Sequence, residues 1–140
     1  MVKGKTTFSE EHTDVLIEAL KEAYKGCTIL RDTQATIRGR PMCDIVVRQQ
    51  GRNDIGFRLN KQTGNYDCHA YEPGYMDSQR SINNALKAVY EPYIRGTTKK
   101  MMKNSPVLSS YIMGKTTDVE RDGKKMKRIR LTPSGGGGWV

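Results

Sequence analysis

Alternation of apolar and polar residues is most regular between Cys43 and Tyr71, CDIVVRQQGRNDIGFRLNKQTGNYDCHAY. Cys43, Ile45 and Val47 fall on one side, with Asp44, Val46 and Arg48 on the other. Ile55, Phe57 and Leu59 alternate with Asp54, Gly56, Arg58 and Asn60, and Tyr66, Cys68 and Ala70 with Asn65, Asp67, His69 and Tyr71. A period of two marks strands with one buried face. Gly51-Arg-Asn53 and Lys61-Gln-Thr-Gly64 supply turn residues between the runs. The stretch predicts a three-stranded antiparallel meander with one apolar and one wet, charged face.

The flanks read as elements that pack on this meander. Residues 3–8 (KGKTTF) suit an edge strand protected by Lys3 and Lys5. Ser9 is an N-cap, Glu10 and Glu11 favour the positive end of a helix, and Val15, Leu16, Ala19, Leu20, Ala23 and Tyr24 form a helical stripe. The first helix is therefore predicted over Ser9–Lys25, stopped by Gly26. Cys27–Leu30 fits a strand, Arg31-Asp-Thr33 a turn, and Gln34–Arg38 a second extended run broken at Gly39-Arg-Pro41. After a turn at Glu72-Pro-Gly74, a second helix is expected over Ser78–Tyr90 and a third over Pro92–Lys103, separated by Pro92. Residues 107–113 fit either a short helix or a strand. Thr117–Arg121, Asp122-Gly123 and Lys124–Leu131 predict a β-hairpin, because Asp-Gly favours the turn whose twist matches the strands. Ile129 and Leu131 are expected inward, opposite Arg128 and Arg130.

Together these elements predict an α+β fold: an antiparallel sheet of four to six strands with two or three helices packed on one face. Residues 1–132 read as one domain and 133–140 as a flexible glycine-rich tail ending in Trp139-Val140. A 140-residue chain is one domain's worth and needs neither metal nor disulfide to fold. The three cysteines, Cys27, Cys43 and Cys68, are an odd number without paired spacing and read as small buried hydrophobes. No apolar run approaches a membrane span and the N-terminus lacks an apolar signal region, so a cytoplasmic protein with no membrane partner is expected.

Charge changes the picture. Residues 1–94 carry 13 Lys/Arg and 12 Asp/Glu, whereas residues 95–130 carry 11 Lys/Arg and 3 Asp/Glu. Nearly all of the +9 net charge sits in the last quarter, which is a statement about partners. Arg95, Lys99, Lys100, Lys103, Lys115, Arg121, Lys124, Lys125, Lys127, Arg128 and Arg130 are candidate phosphate contacts, with Tyr93, Tyr111 and Trp139 as candidate stacking residues. No motif for base-specific readout accompanies them.

Other chemistry is poorly supplied. Cys68 and His69 are adjacent in a strand and point to opposite faces, and no C-x-x-C or H-x-x-x-H spacing occurs, so no metal is expected. There is no Walker loop or dinucleotide fingerprint, and no cofactor is expected. No catalytic residue is assigned. A secondary candidate site gathers Arg38 and Arg40 from the loop ahead of the meander with Arg48, Arg58 and His69 from its wet face.

Lys5-Thr6, the first helix, Ile37-Arg-Gly39, Cys43-Asp-Ile-Val-Val47, Asp54-Ile-Gly-Phe57 and Gly64-Asn-Tyr66 resemble the hypothetical chloroplast open reading frame thirty-five family, a small domain found in plastids, cyanobacteria, other bacteria and phages. The resemblance spans roughly residues 5–131. It implies an α+β domain without an established activity, working in the plastid stroma or a phage-infected cell where the cytoplasm is not its home. The appended glycine tail and the strong positive charge depart from the family pattern.

Three functions follow, in order. The first is a non-enzymatic, sequence-nonspecific nucleic-acid or ribonucleoprotein-binding protein. The second is an adaptor docking an acidic protein partner through the basic hairpin and Trp139. The third is a small enzyme with a His69-centred site.

Overall fold

The computed structural model describes residues 2–37, 39–70 and 78–133. Seven strands and three helices follow one another as β1 (Val2–Ser9), α1 (Thr13–Ala23), β2 (Thr28–Gln34), β3 (Met42–Arg48), β4 (Ile55–Asn60), β5 (Asn65–Ala70), α2 (Ser78–Lys87), α3 (Tyr90–Asn104), β6 (Tyr111–Arg121) and β7 (Lys124–Pro133). Short 3-10 turns precede α1 (Glu10–His12) and β6 (Leu108–Ser110). The expected α+β class holds: β1-β5-β4-β3-β2 form an antiparallel five-stranded sheet, and β6-β7 a separate two-stranded one. The chain divides into two compact units, residues 1–90 and 91–140.

In the first unit the predicted meander is β3-β4-β5, and the chain's opening segment adds β1 at its edge. One cross-strand row runs Gly4, Cys68, Phe57, Ile45, all on the helix-covered face. Phe57, Ile45 and Cys68 are fully buried there, and Phe8 stacks obliquely on Phe57 and Tyr90 with ring centres 6.1 and 5.4 Å away. A Cβ at Gly4 would lie 2.7 Å from Cγ2 of Ile82, so this glycine lets α2 approach β1. Helix α1 contributes Leu16, Ala19 and Leu20, the buried half of its predicted stripe. Ser9 caps the 3-10 turn by accepting from Glu11 N, and Gly26 takes φ +82° just past α1.

Three expectations are corrected. Arg31-Asp32-Thr33 does not turn the chain. β2 runs through it to Gln34, with Asp32 in the left-handed region (φ +49°), and the reversal comes at Ala35–Pro41, where Ala35 N donates to Pro41 O at 3.0 Å. The meander's second face is also not wet throughout. Val46 (0% exposed), Asp54 (3%), Asp67 (5%) and His69 (5%) are buried, Asp44, Asn60 and Asn65 are half-buried, and Arg48 and Arg58 are exposed as expected. Val46 belongs to a second apolar cluster with Ala35, Ile37 and Cys43, with Leu30 against it. Cys43 thus packs with Val46 rather than with Ile45 and Val47, so the strand's alternation breaks at its start. Gly56 leaves the room: a Cβ there would stand 2.5 Å from Cys43 Sγ.

The reversed segment is locked down electrostatically. Asp54 accepts from Thr36 N at 2.7 Å and from Arg48 Nη2 at 2.9 Å, while Arg48 Nη2 also donates to Thr36 Oγ1 at 3.1 Å. Burial alone would push the Asp54 carboxyl up, but the hydrogen bonds from Arg48 and Thr36 outweigh it and hold the group below the usual aspartate range. Burial pushes the Cys43 thiol up to about 11 and raises that of Cys68 as well, as expected for inert core cysteines.

In the second unit, Pro92 falls in the first turn of α3, where its missing N–H removes no helical hydrogen bond. The stretch of undecided class resolves into a 3-10 turn followed by strand from Tyr111. The predicted hairpin is present and longer than expected, with Asp122 and Gly123 at φ +54° and +75°. Two consecutive left-handed residues are what a type I′ turn requires.

Candidate nucleic-acid interface

Strand pairing sorts the charges of the β6–β7 ribbon. In the backbone register Asp118 lies opposite Lys127 and Glu120 opposite Lys125, which places both acids on one ribbon face. Asp118 Oδ1 accepts from Lys127 Nζ at 2.5 Å. The other face carries Arg128 opposite Thr117, Met126 opposite Val119, and Arg121 opposite Lys124, and Arg130 follows two residues beyond Arg128. Among the described residues that face has cations and no acid. Arg128 and Arg130 are exposed on it, beside the exposed apolar side chains of Ile112 and Met126. Of Arg121, Lys124 and Lys125 only the backbone is described.

The partly covered ribbon face meets α3. Arg95 Nη1 donates to Gly114 O at 2.6 Å and to Thr116 Oγ1 at 3.1 Å, across an irregularity in pairing between Met113 and Thr116. Arg95, Lys99 and Lys103 recur every four residues and so line one side of the helix, one turn apart. Between this line and β6 lies a hollow of about 420 Å³ formed by Lys99, Met102, Lys103, Tyr111 and Met113. A neighbouring hollow of about 450 Å³ shares Met113 and is lined by Glu91, Arg95, Gly114, Lys115 and Thr116.

The predicted site residues therefore fall into groups. Lys99, Lys103, Lys115, Arg128 and Arg130 are exposed cations of the second unit, and the half-buried Tyr111 shares a hollow with Lys99 and Lys103. Lys127 is paired with Asp118, Arg95 is held by β6, and Lys100 is half-buried. Tyr93 is corrected as a stacking residue: it is 6% exposed, because it lies with Met102 among the buried residues of α3. Arg38 and Trp139 lie outside the described residues, as does the Glu72-Pro-Gly74 turn.

The secondary group is not assembled as expected. Arg48 is committed to Asp54 and Thr36, while His69 is buried in the row that also holds Gly56 and Val46. Arg40 is exposed in the reversal with φ +41°, and Arg58 is exposed on β4. A cleft of about 620 Å³ does open in the first unit, between the β3–β4 turn and α2, lined by Gln49, Arg52, Asn53, Ser81 and Asn84 among others. Its carboxylate, Asp54, is engaged by Arg48. Among the described residues no group of three His, Cys, Asp or Glu is placed to hold a metal ion, and no helix is long and apolar enough to cross a membrane.

Sequence reasoning missed the groove between α3 and β6. Its one available signal was the four-residue spacing of Arg95, Lys99 and Lys103, which marks a helical line of cations rather than a diffuse charge excess. Comparison with protein-family models, with curated proteins and with solved structures finds no match for this chain.

Proposed function

We propose that the chain is a non-enzymatic nucleic-acid-binding protein that engages the phosphate backbone without sequence specificity through its second unit. The observation that carries this reading is the ribbon face bearing Arg128 and Arg130, both exposed and with no acid on that face among the described residues, while Asp118 and Glu120 lie on the opposite face. Cations that have no carboxylate of their own to neutralise them keep their field for a polyanion, and released counterions then drive association. The unit that holds this face carries 11 Lys/Arg against 4 Asp/Glu. Resemblance to the chloroplast open reading frame thirty-five family brings no activity that competes with this assignment.

The test compares charge removed from two places. Arg128→Gln with Arg130→Gln is expected to weaken binding of a labelled oligonucleotide in fluorescence anisotropy, by roughly tenfold or more near 50 mM salt. Arg52→Gln with Lys61→Gln removes the same charge from exposed positions of the first unit and is expected to leave affinity within about twofold. Equal losses from both pairs would reduce the interaction to net charge alone and overturn the assignment. Ile112 and Met126 on the same ribbon face favour an acidic, partly apolar protein segment as the second reading. That reading predicts capture of such a segment by a protein that leaves oligonucleotides unbound.

A further inference from the structure

We infer that the groove between α3 and β6 is a site for an unpaired nucleotide, its base lying on Tyr111 over Met102 and Met113 and its phosphates following Lys99 and Lys103. This inference rests on the nucleic-acid reading above and narrows it from any polyanion to a single strand. Three features of the groove carry it. The hollow of about 420 Å³ is large enough for a base. Its lining combines the flat ring of Tyr111 with two methionine side chains, and an aromatic ring with polarizable thioethers presents what a π-face prefers. Its rim is cationic, because Lys99 and Lys103 stand one helical turn apart on α3.

A nucleotide is apolar across its base and negative at its phosphate, and the lining of the hollow offers a partner to each. A duplex cannot use such a site without extruding a base, since its π-faces are already stacked. The adjoining hollow carries two cations, Arg95 and Lys115, against one carboxylate, Glu91, so a strand leaving the first hollow meets a lining of net positive charge. Arg95 holds the β6 irregularity at Gly114 and Thr116 and acts as a positioning residue for that wall.

The experiment measures anisotropy of labelled single-stranded and duplex oligonucleotides of the same sequence, together with a single strand carrying one abasic nucleotide. The intact protein is expected to prefer the single strand to the duplex by about tenfold or more and to lose affinity for the abasic strand. Tyr111→Leu keeps an apolar side chain but no flat face. It is expected to lose about 5- to 150-fold on the intact single strand and to become indifferent to the abasic nucleotide, whereas Tyr111→Phe retains both properties. Lys99→Gln with Lys103→Gln is expected to flatten the salt dependence by a slope of about 1.4, which Tyr111→Leu leaves in place. Equal or tighter duplex binding, or a Tyr111→Leu protein that still senses the abasic position, overturns the groove assignment and leaves backbone binding by the ribbon standing. Absence of binding to every oligonucleotide overturns both.

Discussion

Gly56 is a residue whose missing side chain shapes the sheet. Cys43 Sγ occupies the space above it, and Ala35 Cβ stands 3.4 Å from where a Cβ would be, so the glycine closes the second apolar cluster. Gly56→Ala is expected to destabilise the protein by about 1–3 kcal/mol, and Cys43→Ala in the same chain to recover much of that loss, since it removes the clashing atom. Urea denaturation of the two single variants and the double variant checks this, and additive losses would contradict it. Asp54 gives the second residue-scale prediction. Its carboxyl is held below the usual aspartate value of 3.8, so its contribution is fully present above that pH and is lost as pH falls below it through the folded-state value. Asp54→Asn is expected to cost about 2 kcal/mol at neutral pH and to make the urea midpoint fall less steeply below about pH 4 than it does in the native chain. A parallel fall in both proteins would contradict the role given to Asp54.

At the scale of elements, what could be read ahead of the structure was whatever local chemistry decides. The alternation of residues 43–71 is enough to place β3, β4 and β5, because the period of two is written in each strand. Asp122-Gly123 places the ribbon turn, since few residues adopt two successive left-handed conformations. What long-range packing decides was not legible. Nothing near Val46 in sequence announces that Ala35–Ile37 will fold over it, although the unbroken Ile45-Val46-Val47 run is the mark of a strand buried on both faces. Asp32 carries β2 through a conformation that local propensity assigns to a turn. Tyr93 and Tyr111 look alike as aromatic residues in a basic region, yet one is buried and the other borders a hollow. The ribbon yields its own prediction. Gly123→Ala forces a Cβ into a left-handed position at a cost of about 1–2 kcal/mol. Amide exchange near the Val119–Met126 pair is then expected to quicken by about 5- to 30-fold, with β3 and β4 unaffected. Unchanged ribbon protection would contradict the turn's contribution.

At the scale of the molecule, charge and packing are divided between the two units. The first holds the five-stranded sheet, its two apolar clusters and a near balance of 13 Lys/Arg with 11 Asp/Glu. The second is smaller, strongly basic, and its described residues include a helix and a ribbon whose strand alternation separates the face bearing Asp118 and Glu120 from the face bearing Arg128 and Arg130. Such a division suits a stable scaffold carrying a binding module, and the module's positive potential is the property on which the functional account depends. The most direct measurement is the dependence of single-stranded oligonucleotide affinity on salt concentration. Phosphate contacts from Lys99, Lys103, Arg128 and Arg130 predict a log–log slope of about −3, moving toward zero by about 1.4 in the Arg128→Gln, Arg130→Gln protein. A flat dependence in the native chain, or an identical slope in the substituted one, would contradict the account.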